Sequence, residues 1–254
     1  MVQPLPAERR RRILELLRER GSVRVSDLVA SLGVSEVTVR RDLEELERRG
    51  LLERSHGGAL LPGGAAPALV PTERAAQKRT IGAAAAALVQ PGDAVYLNGG
   101  ATVLEVFRHL AVPATVITNN VLVALEPHDR DVELLLVGGH VRLDPSERTV
   151  VGPFATEALR RTYANLAVLG VGGVNVEAGF TTPVAAEAEI ARVMIEHTRG
   201  RVIVVADASK LGAVADFSIV PLERVDLLVT DAGAPERERD ALAGAGLDVQ
   251  VAAG

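Results

Sequence analysis

Seven short apolar runs, each bounded by turn residues and separated by helical stretches, constrain the fold of this chain more than any other feature. They are Asp93 to Leu97, Thr115 to Thr118, Val132 to Val137, Leu166 to Val171, Arg201 to Ala206, Val225 to Thr230 and Leu247 to Val251. Near-continuous apolar strands alternating with helices are strands covered on both faces, so residues 72–254 are expected to form a mostly parallel, doubly covered α/β sheet. Ligands of such sheets sit at the carboxyl ends of the strands. The length of 254 residues, against about 150 per domain, leaves room for one large domain or two unequal ones.

Composition excludes several functions. There is no Cys, which removes disulfides, thiolate zinc sites, iron–sulfur clusters and cysteine nucleophiles together and makes a reducing cytoplasm the expected compartment. Two Tyr, four Phe and no Trp leave almost no aromatic platform for stacking single-stranded bases. Arg9 to Arg12 are followed by a charged amphipathic stretch, so no signal peptide is expected, and no apolar run approaches the ~18 residues of a membrane span. The net charge of −5 is uneven: residues 1–57 carry twelve Arg against ten acids, and residues 58–254 carry sixteen basic against twenty-three acidic side chains. A small basic end on a larger acidic body hints at nucleic-acid contact.

The basic end has its own pattern. Ala7 to Arg20 spaces Ile13, Leu16 and Leu17 as one helical face; Val23 to Val25 reads as a short strand; Ser26 and Asp27 are expected to open a helix bearing Leu28, Val29 and Leu32 and ending at Gly33. Ser35 is the expected N-cap of a third helix with Val39, Leu43 and Leu46 inward, and Leu51 to Arg54, His56 to Gly58 and Ala59 to Leu61 read as a hairpin. That order describes a winged helix-turn-helix over residues 1–61. At about 100° per residue, an inward Val39–Leu43–Leu46 stripe turns Val37, Thr38 and Arg41 outward and leaves Arg40 on the flank. Arg41 suits guanine O6 and N7, Thr38 a base edge or phosphate, Val37 a thymine methyl, and the backbone at Ser35 a phosphate; His56 and Gly57 belong to the wing. Arg48 is expected to be merely solvated, and Glu36 and Glu44 to repel phosphate.

Residues 62–71, rich in Pro, Gly and Ala without periodicity, read as a linker, after which Thr72 and Glu73 are expected to open a long helix from Arg74 to Val89. Beyond it, the strand ends are polar or glycyl: Asn98-Gly99-Gly100-Ala101-Thr102, Thr118-Asn119-Asn120, Gly138-Gly139 with Arg142, Gly172-Gly173, and Asp207 with Ser209 and Lys210. Glycines between a strand and a helix N-terminus let backbone amides close on an anion, so phosphate is the expected guest. Of the 28 basic residues only two, at 78 and 210, are Lys, and a Lys at a strand end suits a compact anion site. Competing motifs fail: Gly170, Gly172 and Gly173 lack the dinucleotide spacing, no Lys follows Gly, the five His lack metal spacing, and no Ser sits in a nucleophile elbow. No cofactor or metal is expected.

The strings Arg12-Ile13, Val25-Ser26-Asp27-Leu28, Gly33-Val34-Ser35, Thr38 to Leu43 and Arg54 to Ala59 resemble the DeoR family of bacterial repressors. Gly138-Gly139 with Arg142, Val151-Gly152, Gly170 with Gly172-Gly173, Gly179 with Thr181-Thr182, and Asp207 with Ser209-Lys210 extend the likeness to the DeoR-type sensor domain, and Glu73-Arg74 with Lys78 resembles the segment by which the family enters it. The resemblance implies a fold shared with pentose-phosphate isomerases and coenzyme A transferases, operator DNA as one partner, and a phosphorylated sugar or similar metabolite as effector. Two departures stand out: the family pattern Asp-Ser-Gly-Thr-Thr is here Asn98 to Thr102, and Asn165 stands where an acid usually does. A retained but altered phosphate site, with backbone amides replacing hydroxyls, is the expected result.

Two functions follow as expectations. One is a homo-oligomeric repressor, not an enzyme, that leaves operator DNA when a sugar phosphate occupies Asn98, Gly99, Gly100, Thr102, Thr118, Asn119, Gly138, Arg142, Gly172, Asp207 and Lys210. The other is a sugar-phosphate isomerase fused to a DNA-binding module, which would need a carboxylate base, and Asn165 speaks against it.

Overall fold

The helical spacing of Ile13, Leu16 and Leu17 becomes α1 (Pro6–Arg20), and all three are buried. The structure is a computed structural model and describes residues 6–20, 22–48, 51–55, 58–60, 74–126, 131–143 and 148–253. After α1 come β1 (Ser22–Arg24), α2 (Val25–Leu32), α3 (Glu36–Arg48), β2 (Glu53–Ser55) and β3 (Gly58–Leu60), the strands forming an antiparallel sheet in the order β1-β3-β2. Leu28, Val39, Leu43, Leu46 and Leu52 complete an aliphatic core, each contributing about 1.5 to 3 kcal/mol on full burial. Gly33 ends α2 in the left-handed region, φ 65°, its N–H bonded to Val29 O, and so makes the tight turn into α3. Ser26 is not the cap expected for α2. The helix starts a residue earlier because Val25 is buried against the core; Arg24 takes the cap position without a side-chain bond, and Ser26 Oγ donates to Asp27 at 3.3 Å.

A polar tie joins α1 to α3. Arg9 Nε donates to Asp42 Oδ2 at 2.7 Å, with both side chains about nine-tenths buried. Sequence patterning gave no hint of this pair, since the two residues lie 33 apart on different helices.

Two compact units divide the chain at Met1–Pro71 and Thr72–Gly254. The second runs α4 (Ala75–Ala86), β4 (Ala94–Leu97), α5 (Ala101–His109), β5 (Ala114–Thr118), α6 (Val121–Leu125), β6 (Val132–Leu136), β7 (His140–Leu143), β8 (Arg148–Val151), α7 (Pro153–Leu159), β9 (Ala164–Gly170), β10 (Gly173–Asn175), β11 (Gly179–Thr182), α8 (Ala185–Glu196), β12 (Thr198–Val205), β13 (Phe217–Val220), β14 (Leu227–Asp231), α9 (Glu236–Gly244) and β15 (Asp248–Ala252). The seven apolar runs form one wholly parallel sheet, ordered β15-β14-β12-β9-β4-β5-β6. Side chains alternate between its faces. Tyr96 packs into a core with Leu159 of α7 and Met194 of α8, and its neighbours Val95 and Leu97 are buried too, with α4 and α5 packed together against the sheet. Burial raises the phenol pKa of Tyr96, whose hydroxyl meets Thr162 Oγ1 at 2.7 Å.

Two details differ from expectation. Helix α4 begins at Ala75, after Arg74 in the left-handed region at φ 67°, and ends at Ala86, where Leu88 and Val89 bond three residues back in a tightened last turn. Residues 62–71, Thr72 and Glu73 lie outside the described residues. Strand β6 is not doubly covered: as an edge strand it leaves Leu135 and Leu136 exposed. An antiparallel sheet β10-β11-β13 and the hairpin β7–β8 complete the unit.

Candidate nucleic-acid interface and effector cavity

Helix α3 presents the side chains expected to meet DNA. Ser35 caps it: Ser35 Oγ accepts from Thr38 N at 3.3 Å and lies 2.9 Å from Thr38 Oγ1. Val37 is 75% exposed, an unusual placement for an aliphatic side chain, and Arg41 is exposed beside it. Arg41 forms no ion pair among the described residues, whereas Arg40 donates through Nε and Nη2 to Glu36 Oε1 at 2.9 and 2.6 Å. The pair offsets the negative charge expected of Glu36 against phosphate. Arg48 pairs with Glu45 and is otherwise solvated. His56 and Gly57 lie outside the described residues.

The strand register sets the second site. Leu97 pairs with Thr118 and Val168, and Val205 pairs with Gly170, so β5, β4, β9 and β12 end side by side. Just beyond these ends lies a cavity of about 180 Å³. That is small beside the roughly 300 to 1,000 Å³ of clefts that take drug-sized ligands, and suits a small metabolite. Asn98, Gly99, Gly100, Thr102, Asn119, Gly172, Asp207 and Lys210 all line it. Helix α5 opens into it with Gly100 in the cap position and no side-chain cap, leaving first-turn amides for an anion. Lys78 also lines the cavity. It shares that lining with Ala101 and Thr102, in the first turn of α5. Both lysines of the chain therefore face one cavity.

Other expected residues are placed differently. Thr118 is fully buried, donates to Leu97 O at 2.6 Å and accepts from Asn120 N at 3.0 Å, which ties two strand ends together and spends its hydroxyl. Gly138 and Arg142 do not line the cavity, but Arg142 Nη1 donates at 3.2 Å to Glu187 Oε1, and Glu187 does. Asp207 accepts from Ser209 N and Oγ and lies 3.7 Å from Arg74 Nη1, so it shapes the turn that presents Lys210. Lys78 and Glu187 were missed in the sequence. The scarcity of lysine could have flagged the first; nothing in the sequence marks the second. Among the described residues, no group of acidic or His side chains is placed to hold a metal ion, and no helix is long and apolar enough to cross a membrane.

Residues 9–63 match the model of the DeoR-like helix-turn-helix domain, and residues 73–232 match that of the DeoR C terminal sensor domain. The chain belongs to the DeoR family. Its relatives include the HTH-type transcriptional regulator GlpR of Haloferax volcanii, 37% identical over 251 residues that span 96% of this chain and 97% of the relative. The HTH-type transcriptional repressor GlcR of Bacillus subtilis is 34% identical over 225 residues, 86% of each. Among solved structures, ribose 5-phosphate isomerase of Methanocaldococcus jannaschii superposes with a TM-score of 0.36 at 15% identity, covering 52% of each chain.

Two of the three departures from the DeoR pattern in the α5 loop, at Asn98 and Gly99, have local physical causes. Asn98 Nδ2 donates to Gly170 O at 2.9 Å while its Oδ1 accepts from Gly170 N at 2.7 Å, a reciprocal pair that an aspartate, lacking the donor, cannot make. At Gly99 a Cβ would stand 2.3 Å from Thr149 Cγ2, so the methyl of Thr149 already fills the space of a side chain there. Asn165, the departure outside this loop, is remote from the cavity: its Oδ1 accepts from Ala94 N at the amino end of the sheet. It therefore says nothing about catalysis in the cavity.

Proposed function

We propose that this DeoR-family chain is a cytoplasmic transcriptional repressor that binds operator DNA as a homo-oligomer and leaves it when a phosphorylated sugar fills the cavity of the sensor unit. Residues 1–61 serve as the DNA-binding domain, 62–71 as the linker and 72–254 as the effector domain. Ser35, Val37, Thr38, Arg40 and Arg41 carry the contact along α3, with His56 and Gly57 on the wing. One winged module offers few phosphate contacts, so a second copy on a second half-site supplies the remaining affinity.

The single observation behind the effector is the convergence of Lys78, Lys210 and the uncapped start of α5 on one small cavity. Two ammonium groups and free amides are a phosphate site by charge and by geometry. The relatives GlpR and GlcR are named as transcriptional regulators, in keeping with regulation as the output. Release requires that the effector bind the DNA-free state more tightly than the DNA-bound state. Fluorescence anisotropy of a selected operator fragment, titrated with protein and then with pentose and hexose phosphates, tests the proposal. Displacement by at least one of them is expected.

One observation favours the isomerase alternative, namely that Glu187 places a carboxylate in the cavity. Its Oε1 is held by Arg142 and Thr149, which fixes the carboxylate in place as an acceptor. Incubation with pentose and hexose phosphates decides between the two readings: turnover above background would establish the enzyme.

A further inference from the structure

The cavity is lined by two chemically different sets of groups. Lys78, Lys210 and the amides that open α5 are donors. On the β5 side the groups are acceptors, and two adjacent residues of β8 hold them. Asn119, 1% exposed, donates through Nδ2 to Val150 O at 2.9 Å, and its backbone carbonyl accepts from Val150 N at 2.7 Å. Those two bonds fix the amide and leave Oδ1 buried with no partner among the described residues. Thr149, the preceding residue, donates to Glu187 Oε1 at 3.1 Å, and Arg142 donates to the same oxygen. Both of these bonds fall on Oε1, which leaves Oε2 as the oxygen open to a guest.

A buried amide oxygen without a partner is uncommon, because such groups are paired in the great majority of folded proteins. When one lines a cavity, it points to a donor supplied by the guest. We infer that Asn119 Oδ1 and Glu187 Oε2 are the specificity-determining acceptors of this site, reading hydroxyls of a phosphorylated polyol whose phosphate lies at the lysine end. The inference rests on the effector reading above and adds what the far end of the molecule must carry. The donor is a hydroxyl rather than an ammonium, since Arg142 already offsets the charge of Glu187 and the amide of Asn119 is neutral.

Of the donors, Lys210 is the one set apart from the acceptors, because α5 follows β4, the neighbour of β5, and Gly99 lies against Thr149. Successive strands lie about 4.8 Å apart, and β12, which leads to Lys210, stands three strands from β5, which leads to Asn119. Those two strand ends therefore lie roughly 14 Å apart, with the side chains of Lys210 and Asn119 reaching into the cavity between them. Inorganic phosphate engages one end; a sugar phosphate reaches both.

Isothermal titration of the full chain separates the possibilities, with inorganic phosphate, ribose 5-phosphate, 2-deoxyribose 5-phosphate, glucose 6-phosphate and glucosamine 6-phosphate as probes. In the parent, at least one sugar phosphate binds more tightly than inorganic phosphate. In Glu187→Gln and in Asn119→Leu, that preference is expected to fall about tenfold, the loss of roughly one hydrogen bond. Should Asn119→Leu fail to fold, as its thermal melt would show, Glu187→Gln alone decides. An unchanged preference in the folded variants overturns the acceptor assignment and leaves the phosphate site standing. Tighter binding of glucosamine 6-phosphate than glucose 6-phosphate overturns the hydroxyl assignment. Failure of the parent to bind any of the five removes the effector reading itself, and this inference with it.

Discussion

Asn98 and Gly170 hold each other by two reciprocal hydrogen bonds, side-chain amide to backbone, across 72 residues of sequence. The pair joins the ends of β4 and β9 at the centre of the cavity floor. Asn98→Asp keeps the acceptor, loses the donor and sets a carboxylate against the carbonyl of Gly170. A loss of about 1 to 3 kcal/mol is expected, measurable by urea unfolding. The loss should shrink as pH falls, because the carbonyl favours the protonated carboxyl in the folded state and protonation restores a donor. A deficit equal at pH 8 and pH 5 would contradict the pairing.

Gly99 and Thr149 form a second coupled pair. Gly99→Ser forces the new Cβ against the methyl of Thr149 and is expected to cost about 1 to 3 kcal/mol, as overpacking does. Thr149→Ser removes that methyl but keeps the hydroxyl that holds Glu187, so the double variant Gly99→Ser with Thr149→Ser should recover most of the loss. Additive melting shifts would refute the coupling.

In the DNA-binding unit, Asp42→Ala takes from Arg9 its buried carboxylate and should destabilise the unit by about 3 to 5 kcal/mol. Replacing both, Arg9→Met with Asp42→Leu, should cost far less. Circular-dichroism melts of the three proteins check this, and equal losses would remove the pair from the account of how α3 is held on α1.

On operator DNA, Arg41→Ala should cost about 1 to 3 kcal/mol at a specific site. Arg40→Ala should cost less, because its guanidinium is already paired with Glu36. Gel shifts at fixed salt give both values, and the reverse ranking would show that Glu36 releases Arg40 to the DNA.

The sheet was legible because each of its strands carries a near-continuous apolar run, and the winged unit because helical spacing, capping and turns agree with one another. What stayed hidden depends on distant parts of the chain. Arg9 meets Asp42 across 33 residues, and Glu187 reaches the cavity only because β8 supplies Thr149 to hold it. Lys78 sits on a helix whose alignment with α5 no periodicity reveals. Thr118 was read as a ligand contact from its position alone, whereas its hydroxyl is turned into the backbone of the neighbouring strand. The run ending β6 suggested cover on both faces, but apolar composition does not report which strand falls at the edge.

The most direct test of regulation by a sugar phosphate is operator release, followed by anisotropy on labelled DNA for the parent and for Lys210→Met. The parent should release DNA on addition of at least one pentose or hexose phosphate, and the variant should remain bound at the same concentration. Release of both proteins alike, or of neither by any phosphorylated sugar, would contradict a phosphate-reading cavity built on Lys78, Lys210 and the start of α5.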